Sequence, residues 1–346
     1  MIDPSGWSLF QSILVFLGCT LAIGVFGTRI TGVVDQLADR TGIGEAMAGA
    51  ILLGAATSLG GSVVSVTAAL DGKADLALGN ALGGIAVQFA ALAIADFAYR
   101  RANLEHAAAS AENLMQSGLL IALLALILIA PNLPDITLWG IHPITPIMLV
   151  IYGYGLHMIR AAHDRPMWLP TRTHETREDK PEDLDKVPAL APLATRFIML
   201  MLALGVAGYT MEHAATNIAE STWFSFTAVG VLFTATATSL PELVTSIAAV
   251  RRGALTLAVG GIIGGNAFDT LFTAASDIAY REGSIYHAMP KSVVFWAALT
   301  LLMAAVLTMG LIRREKQGPA GIGLESVMLL VLYATGIALL LGMGPE

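Results

Sequence analysis

Between residues 238 and 243 the chain reads TSLPEL, which sets Glu242 beside Pro241 in the middle of an apolar stretch. A carboxylate in such a setting is costly and marks an ion or proton pathway by default. Pro241 has no N–H and crowds the preceding turn, so carbonyls near Ala237 and Thr238 lose their intrahelical partners. In lipid those groups must find a ligand, water or a side chain, and Thr238 and Ser239 add hydroxyl oxygens at the same break. Further along, Asn266, Asp269, Thr270, Thr273 and Asp277 recur at the spacing of one helix face. Hydroxyl, amide, carbonyl and carboxylate oxygens are the ligands of hard cations such as Na+ and Ca2+. Glu242 and Asp269 carry the charge of this set and are its candidate metal ligands. Neither His nor Cys falls in it, which argues against zinc or copper as the cargo. No H-E-x-x-H or G-x-G-D pattern accompanies the acids, so intramembrane hydrolysis is the weaker reading.

The elements that hold these residues follow from composition. Of 346 residues 55% are hydrophobic and 13% charged, and mean hydropathy is +0.71. This is an all-α integral membrane protein, too apolar for a water-soluble globule. Apolar stretches that can cross about 30 Å of hydrocarbon run over 9–26, 46–70, 76–97, 118–130, 144–159, 193–209, 223–250, 255–279, 293–312 and 323–341, which predicts ten transmembrane helices. The first is expected to stay as a helix rather than be cleaved as a signal, since no Lys or Arg precedes it. Cys19 is the single cysteine, so there is no disulfide framework. A net charge of -7 offers no basic face to nucleic acid. The expected partners are metal cations and membrane lipid; nothing implies a cofactor, and the oligomeric state is open, a monomer being sufficient.

Alternate connections between the ten spans hold 16 of the 19 Lys and Arg residues, the other face having Lys73, Arg281 and Lys291. The positive-inside rule then places both termini outside and the long central loop in the cytoplasm. That loop contains HETREDKPEDLDK, which is acidic but lacks the spacing of a calcium-binding loop, so it reads as a solvated linker.

TSLGGSVVS from Thr57 copies TSLPELVTS from Thr238, with Gly60-Gly61 in place of Pro241-Glu242. At the same constant offset of 181, Ser65 falls on Ser246, Gly79 on Gly260, Gly83 on Gly264, and Asp96 with Arg100 on Asp277 with Arg281. The chain is therefore two five-helix repeats, 1–160 and 192–346, joined by a linker over 161–191. Five is odd, so the second repeat enters the membrane from the opposite side, an inverted-repeat plan of secondary transporters that bind substrate at broken helices near the midplane. Gly79/Gly83 and Gly260/Gly264 read as close helix contacts. Asp96–Arg100 and Asp277–Arg281 read as interfacial salt bridges, and Tyr152, Tyr154 and Trp168 as interfacial aromatics.

Both halves resemble the alpha repeats of the calcium/cation antiporter superfamily, which includes the sodium/calcium and calcium/proton exchangers. The resemblance rests on Thr238-Ser239-Leu240-Pro241-Glu242-Leu243, Ser246 and Gly264-Gly265-Asn266-Ala267-Phe268-Asp269, with Gly265 where the family usually has serine. It implies ion ligands at Thr57, Ser58, Thr238, Ser239, Glu242, Asn266 and Asp269, with Gln88 where an Asn or Asp is usual. It implies exchange of Ca2+ for Na+ or H+ across the cell's inner membrane. The first repeat departs from the pattern: Gly61 replaces the glutamate, and Ile85 sits where the second repeat has Asn266. The lopsided site keeps two alternatives open, a monovalent or other cation/H+ exchanger and an ion-binding relative that transports nothing.

Overall fold

The computed structural model describes residues 6–41, 54–98, 103–164, 189–252, 255–316 and 323–343. The linker over 165–188, with Trp168, and the Arg100 partner expected for Asp96 lie outside the described residues. Among the described residues ten principal helical segments follow one another, with the short helix Leu104–Ala107 between the third and the fourth. The first half has α1 (Leu9–Thr41), α2 (Gly54–Thr57 continued by Leu59–Leu70), α3 (Ala74–Ala98), α4 (Ala111–Ile129) and α5 (Ile144–Asp164). The second has α6 (Leu190–Ser221), α7 (Phe226–Ala228, a π turn over Val229–Thr234, Ala235–Thr238, then Leu240–Arg252), α8 (Leu255–Asp269 continued by Leu271–Ala279), α9 (Lys291–Arg313) and α10 (Leu324–Met343). Among the described residues seven helices are long and apolar enough to span a membrane, and the α7 pair, bent by 46°, makes an eighth. The remaining two segments, α2 and α8, are each interrupted among the described residues.

The interruptions fall where the sequence places weak helix formers and prolines. Ser58 breaks α2 and Ser239 breaks α7, and these are equivalent positions of the two repeats. At Pro241 the missing N–H removes one rung of the ladder, and the chain bends there. A further break at Thr270 splits α8, which the sequence read as one continuous helix. The fourth segment begins earlier than its apolar core because Ser110 caps it, accepting the Asn113 N–H at 3.0 Å. Its polar first turns are turned toward the glycines of α8: a Cβ at Gly260 would stand 2.5 Å from Asn113 Oδ1, and one at Gly264 3.4 Å from Gln116 Oε1.

The most apolar stretch of α3 is 89% buried, against 22% for α1 and 17% for α6. So α3 is the central helix, while α1 and α6 pack along each other at the periphery. Each of these outer helices uses a glycine to lie on the break of the opposite repeat. A side chain at Gly27 of α1 would collide with the Pro241 ring, and a Cβ at Gly208 of α6 would stand 2.5 Å from the Gly60 carbonyl oxygen. Only glycine permits both approaches.

Asp96 and Asp277, expected to form interfacial salt bridges, do different work. Asp277 is buried and accepts the N–H groups of Ile285 at 3.3 Å and His142 at 2.8 Å, with Thr145 Oγ1 donating at 2.7 Å. Arg281 is exposed, and no ion pair joins it to Asp277. Asp96, also buried, accepts from Leu104 N at 2.7 Å and Gly323 N at 3.0 Å. Each aspartate thus ties the end of a third helix to the start of the other repeat's fifth. A carboxylate in this position finds backbone donors sooner than a solvent-exposed arginine, because those N–H groups have no helical partner of their own. Tyr152, read as an interfacial aromatic, instead packs inward against Phe268 with ring centroids 6.3 Å apart, whereas Tyr154 is exposed.

Candidate functional site

The breaks of α2 and α7 face the middles of α3 and α8 across a small cavity. It offers about 10 Å³ to a water-sized sphere, roughly the room of one water or one bare cation. Ser58, Gly61, Asn80, Gly84, Gln88, Thr238, Ser239, Glu242, Asp269 and Phe272 line it. Six of the eight residues expected at an ion site are therefore brought together. Thr57 joins them through a hydrogen bond to the Glu242 carboxylate. Asn266 is fully buried one turn earlier on α8 and does not line the cavity, and both of its amide atoms lack a hydrogen-bond partner among the described residues.

The two carboxylates are held from both repeats. Ser58 Oγ donates to Glu242 Oε1 at 3.2 Å and lies within hydrogen-bond reach of Asp269 as well. Gln88 Nε2 donates to Asp269 Oδ2 at 2.7 Å. Gln88 and Asp269 are equivalent positions, so this bond straddles the pseudo-two-fold relation between the repeats. On the α2 side Asn80 Nδ2 donates to the Gly61 carbonyl at 3.0 Å and to Ser65 Oγ at 2.9 Å, which satisfies backbone freed near the break.

Four oxygens remain without a hydrogen-bond partner among the described residues: Glu242 Oε2, Asp269 Oδ1, Gln88 Oε1 and Asn80 Oδ1. Glu242 is 7% exposed and Asp269 3%. An unmet buried acceptor costs about 1–3 kcal/mol, more when charged, so their gathering at one cavity calls for a positively charged occupant. Two carboxylate and two amide oxygens, with the hydroxyls of Ser58, Ser239 and Thr238 beside them, fit a hard cation. The rest of the α8 polar stripe does not serve it. Thr270 and Thr273 hydroxyls donate to the Ala267 and Thr270 carbonyls at 2.7 Å each, and Asp277 belongs to the tie described above.

Asn80, Gly84 and Phe272 are site residues that motif reading passed over. Asn80, Gly84 and Gln88 are spaced four apart on α3, one face of a helix, and that spacing was the available signal. Phe272 stands against Gly61, where the first repeat lacks the glutamate of the second. A Cβ at Gly61 would lie 3.1 Å from Phe272 Cε2 and 3.3 Å from Thr238 Oγ1, so the ring takes up space into which a glutamate would extend. At the offset of 181 Phe272 corresponds to Ala91, and the small-for-large exchange at 61/242 is opposed by a large-for-small exchange at 272/91.

Known proteins share this architecture. The sodium/calcium exchanger protein family matches residues 11–157 and 193–342. The chain is 26% identical over 340 residues to the inner membrane protein YrbG of Escherichia coli (strain K12), covering 97% of this chain and 98% of that one. It is 28% identical over 322 residues to the putative antiporter CaxA of Alkalimonas amylolytica, covering 88% and 92%. The solved H+/Ca2+ exchanger CAX has the same fold, with a TM-score of 0.67 at 13% identity over 96% of this chain and 87% of that one. Two matched blocks, one on each five-helix half and each containing a broken helix that lines the cavity, make this chain a member of the sodium/calcium exchanger protein family.

Proposed function

We propose that the protein is a secondary antiporter that carries Ca2+ in exchange for H+ or Na+, with Glu242 and Asp269 as the charged ligands. Thr57, Ser58, Thr238, Ser239, Asn266 and Gln88 complete the proposed ion-binding set, with Asn80 added. The observation that carries this reading is the convergence of four unpaired buried oxygens on one cavity between the two helix breaks. Alternating access around that cavity uses the inverted repeats, the five-helix units being 1–160 and 192–346. The protein lies in the inner membrane with both termini outside and the central loop cytoplasmic, as the Lys and Arg distribution indicates.

The charge count limits the counter-ions to two monovalent cations, H+ or Na+, per Ca2+. Glu242 and Asp269 balance one Ca2+ or two protons, whereas more than two Na+ would leave positive charge uncompensated in a dry site. The same count keeps monovalent cation/H+ exchange as a second reading, since Gly61 supplies no third carboxylate. The test is 45Ca2+ uptake into proteoliposomes under imposed pH or Na+ gradients, with 22Na+ uptake run in parallel. Uptake of 45Ca2+ driven by a pH gradient supports the first reading, 22Na+ uptake without 45Ca2+ uptake the second, and no flux of either cation overturns both.

A further inference from the structure

Away from the central cavity the turn between α2 and α3 meets α6 in a group of Asp71, Lys73, Glu212 and His213. Lys73 Nζ stands 3.1 Å from Asp71 Oδ2 and 3.1 Å from Glu212 Oε1, and Thr216 Oγ1 donates to that same Oε1 at 2.8 Å. The other oxygen behaves differently. Glu212 Oε2 lies 2.6 Å from His213 Nδ1, yet the two are out of line for a hydrogen bond and Oε2 has no hydrogen-bond partner among the described residues. The wholly buried Oε2 is therefore left with lone pairs that no hydrogen bond among these residues meets. One ligand atom from each of Asp71, Glu212 and His213 lies within 4.8 Å of the other two. The Glu212 side chain is wholly buried while Asp71 keeps 40% of its side chain exposed, so the group has a buried floor and an open edge.

Two carboxylates and an imidazole are a donor set for borderline transition-metal dications, bound at about 2.0–2.2 Å, rather than for Ca2+, which takes oxygen alone. The Lys73 ammonium already sits among these oxygens as a tethered cation, and its side chain, 20% exposed, has water to swing into. We propose that Asp71, Glu212 and His213 form a second metal site, separate from the transport cavity, which takes Zn2+-like dications in competition with Lys73. Occupancy joins α6 to the α2–α3 turn. Glu212 lies one helical turn beyond Gly208, the residue with which α6 rests on the α2 break. A metal here therefore fixes the helix that covers one half of the central site, and zinc added on this face slows transport. That consequence rests on the proposed antiport; the binding itself does not.

The test reads binding and needs no flux. The purified chain in detergent is titrated with Zn2+, and with Ca2+ as a control, while its thermal unfolding midpoint is followed. The wild type gains a Zn2+-dependent rise that Ca2+ does not reproduce. His213→Gln needs at least about tenfold more Zn2+ for the same rise, and Lys73→Met, lacking the competing ammonium, needs less. A salt-bridge network without a metal role gives the opposite order, with Lys73→Met losing stability and no variant responding to zinc. If Lys73→Met does not fold, the comparison of wild type with His213→Gln decides alone. A wild type with no zinc response, or one that His213→Gln leaves unchanged, overturns the proposal.

Discussion

Restoring a glutamate at position 61 separates two ways in which the site could depend on charge. Gly61 lines the cavity with Glu242 and Asp269, so a carboxylate there faces the same occupant. At an effective dielectric constant of about 20, two unit charges about 5 Å apart interact by roughly 3 kcal/mol. A third carboxylate then gains roughly 6 kcal/mol from a bound Ca2+ and loses roughly 3 kcal/mol to each of the two existing carboxylates. Where counter-ions neutralise all three carboxylates until Ca2+ displaces them, the terms cancel to within about 1 kcal/mol, less than a tenfold change in Ca2+ affinity. What changes is the number of counter-ions that neutralise the site when Ca2+ is absent. Sterically the single substitution is strained, because its Cβ meets Phe272 Cε2 at 3.1 Å and Thr238 Oγ1 at 3.3 Å. Overpacking of this kind costs about 1–3 kcal/mol. Phe272 is itself wedged edge-on against Phe268, with centroids 6.2 Å apart. The informative protein is therefore Gly61→Glu combined with Phe272→Ala, the size found at the equivalent Ala91. Flux through proteoliposomes with a clamped membrane potential gives Ca2+ affinity and charge moved per Ca2+ together. The expected result is an affinity within tenfold of wild type and one more counter-cation per cycle, so that exchange gains one net charge. A folded double variant in which neither quantity moves shows that position 61 does not face the ions. A hundredfold gain in affinity at unchanged charge per cycle refutes the cancellation.

Other substitutions separate transport from scaffold. Glu242→Gln keeps shape and removes charge, so 45Ca2+ flux falls to background while size-exclusion chromatography shows an unchanged monodisperse protein. Asp269→Asn weakens cation affinity and alters the pH dependence of flux more than Asp96→Asn does; the reverse order would move the site away from the cavity. Asp277→Asn loses a charge-assisted acceptor of three donors and lowers stability by about 1.5–3 kcal/mol, read as a lower thermal midpoint with ion affinity unchanged. Glu105, in the short helix Leu104–Ala107 between α3 and α4, is buried, and burial followed by the nearby Asp96 charge pushes its carboxyl up to about 7. A folded-state pKa above the unfolded one means that ionisation destabilises the fold progressively between about pH 4.5 and 7. Glu105→Gln keeps an acceptor for the Ser326 hydroxyl and is therefore more stable than wild type at pH 8 by about 3 kcal/mol, with no gain at pH 4; equal gains at both would refute the assignment.

Much of this was legible from the chain alone, for definable reasons. Helix number and the repeat follow from hydropathy and from a register that survives point by point, so the ten segments are read directly, whereas the interruptions expected at Gly60-Gly61 and Pro241 fall two residues earlier, at Ser58 and Ser239. Of the eight residues that the motif resemblance implies, six line one cavity because each sits on a break or on the helix facing it, while Asn266 stays out of the lining. Three things were hidden. The break at Thr270 has no proline or glycine to announce it. Asp96 and Asp277 were assigned to arginines at i+4, because sequence spacing shows local charge but not the unpaired N–H groups that a neighbouring repeat brings to the same place. Phe272 belongs to no motif, since its meaning lies in what it replaces across the repeat and not in its neighbours along the chain.

The scaffold keeps its symmetry where the site abandons it. Asp96 bonds Leu104 N and Gly323 N, and Asp277 bonds Ile285 N and His142 N; every one of these residues maps on its counterpart at the offset of 181. Gly27 on Pro241 and Gly208 on Gly60 obey the same rule. So do the His106 ring with the Arg314 carbonyl and the His287 ring with the Leu133 carbonyl, at 2.7 and 2.9 Å. Contacts that are equivalent on the two faces contribute nearly equal energies, so an arrangement open to one side and its counterpart open to the other differ little in what the scaffold contributes. A bias between them must then come from positions that break the register. In the cavity those include Gly61 with Phe272 against Glu242 with Ala91, and outside it Lys73 with Glu212, whose counterparts are Ala254 and Thr31. Exchange of Gly61 and Phe272 therefore changes which charge is carried, while changes at Lys73 or Glu212 shift which face is open without altering ion affinity at the central site. Accessibility of a cysteine placed at Ser62 to a membrane-impermeant thiol reagent, in a Cys19→Ser background, measures that shift. Lys73→Met is expected to change the labelling rate from one face and Phe272→Ala to leave it alone, and equal effects from both would remove the distinction between site and scaffold.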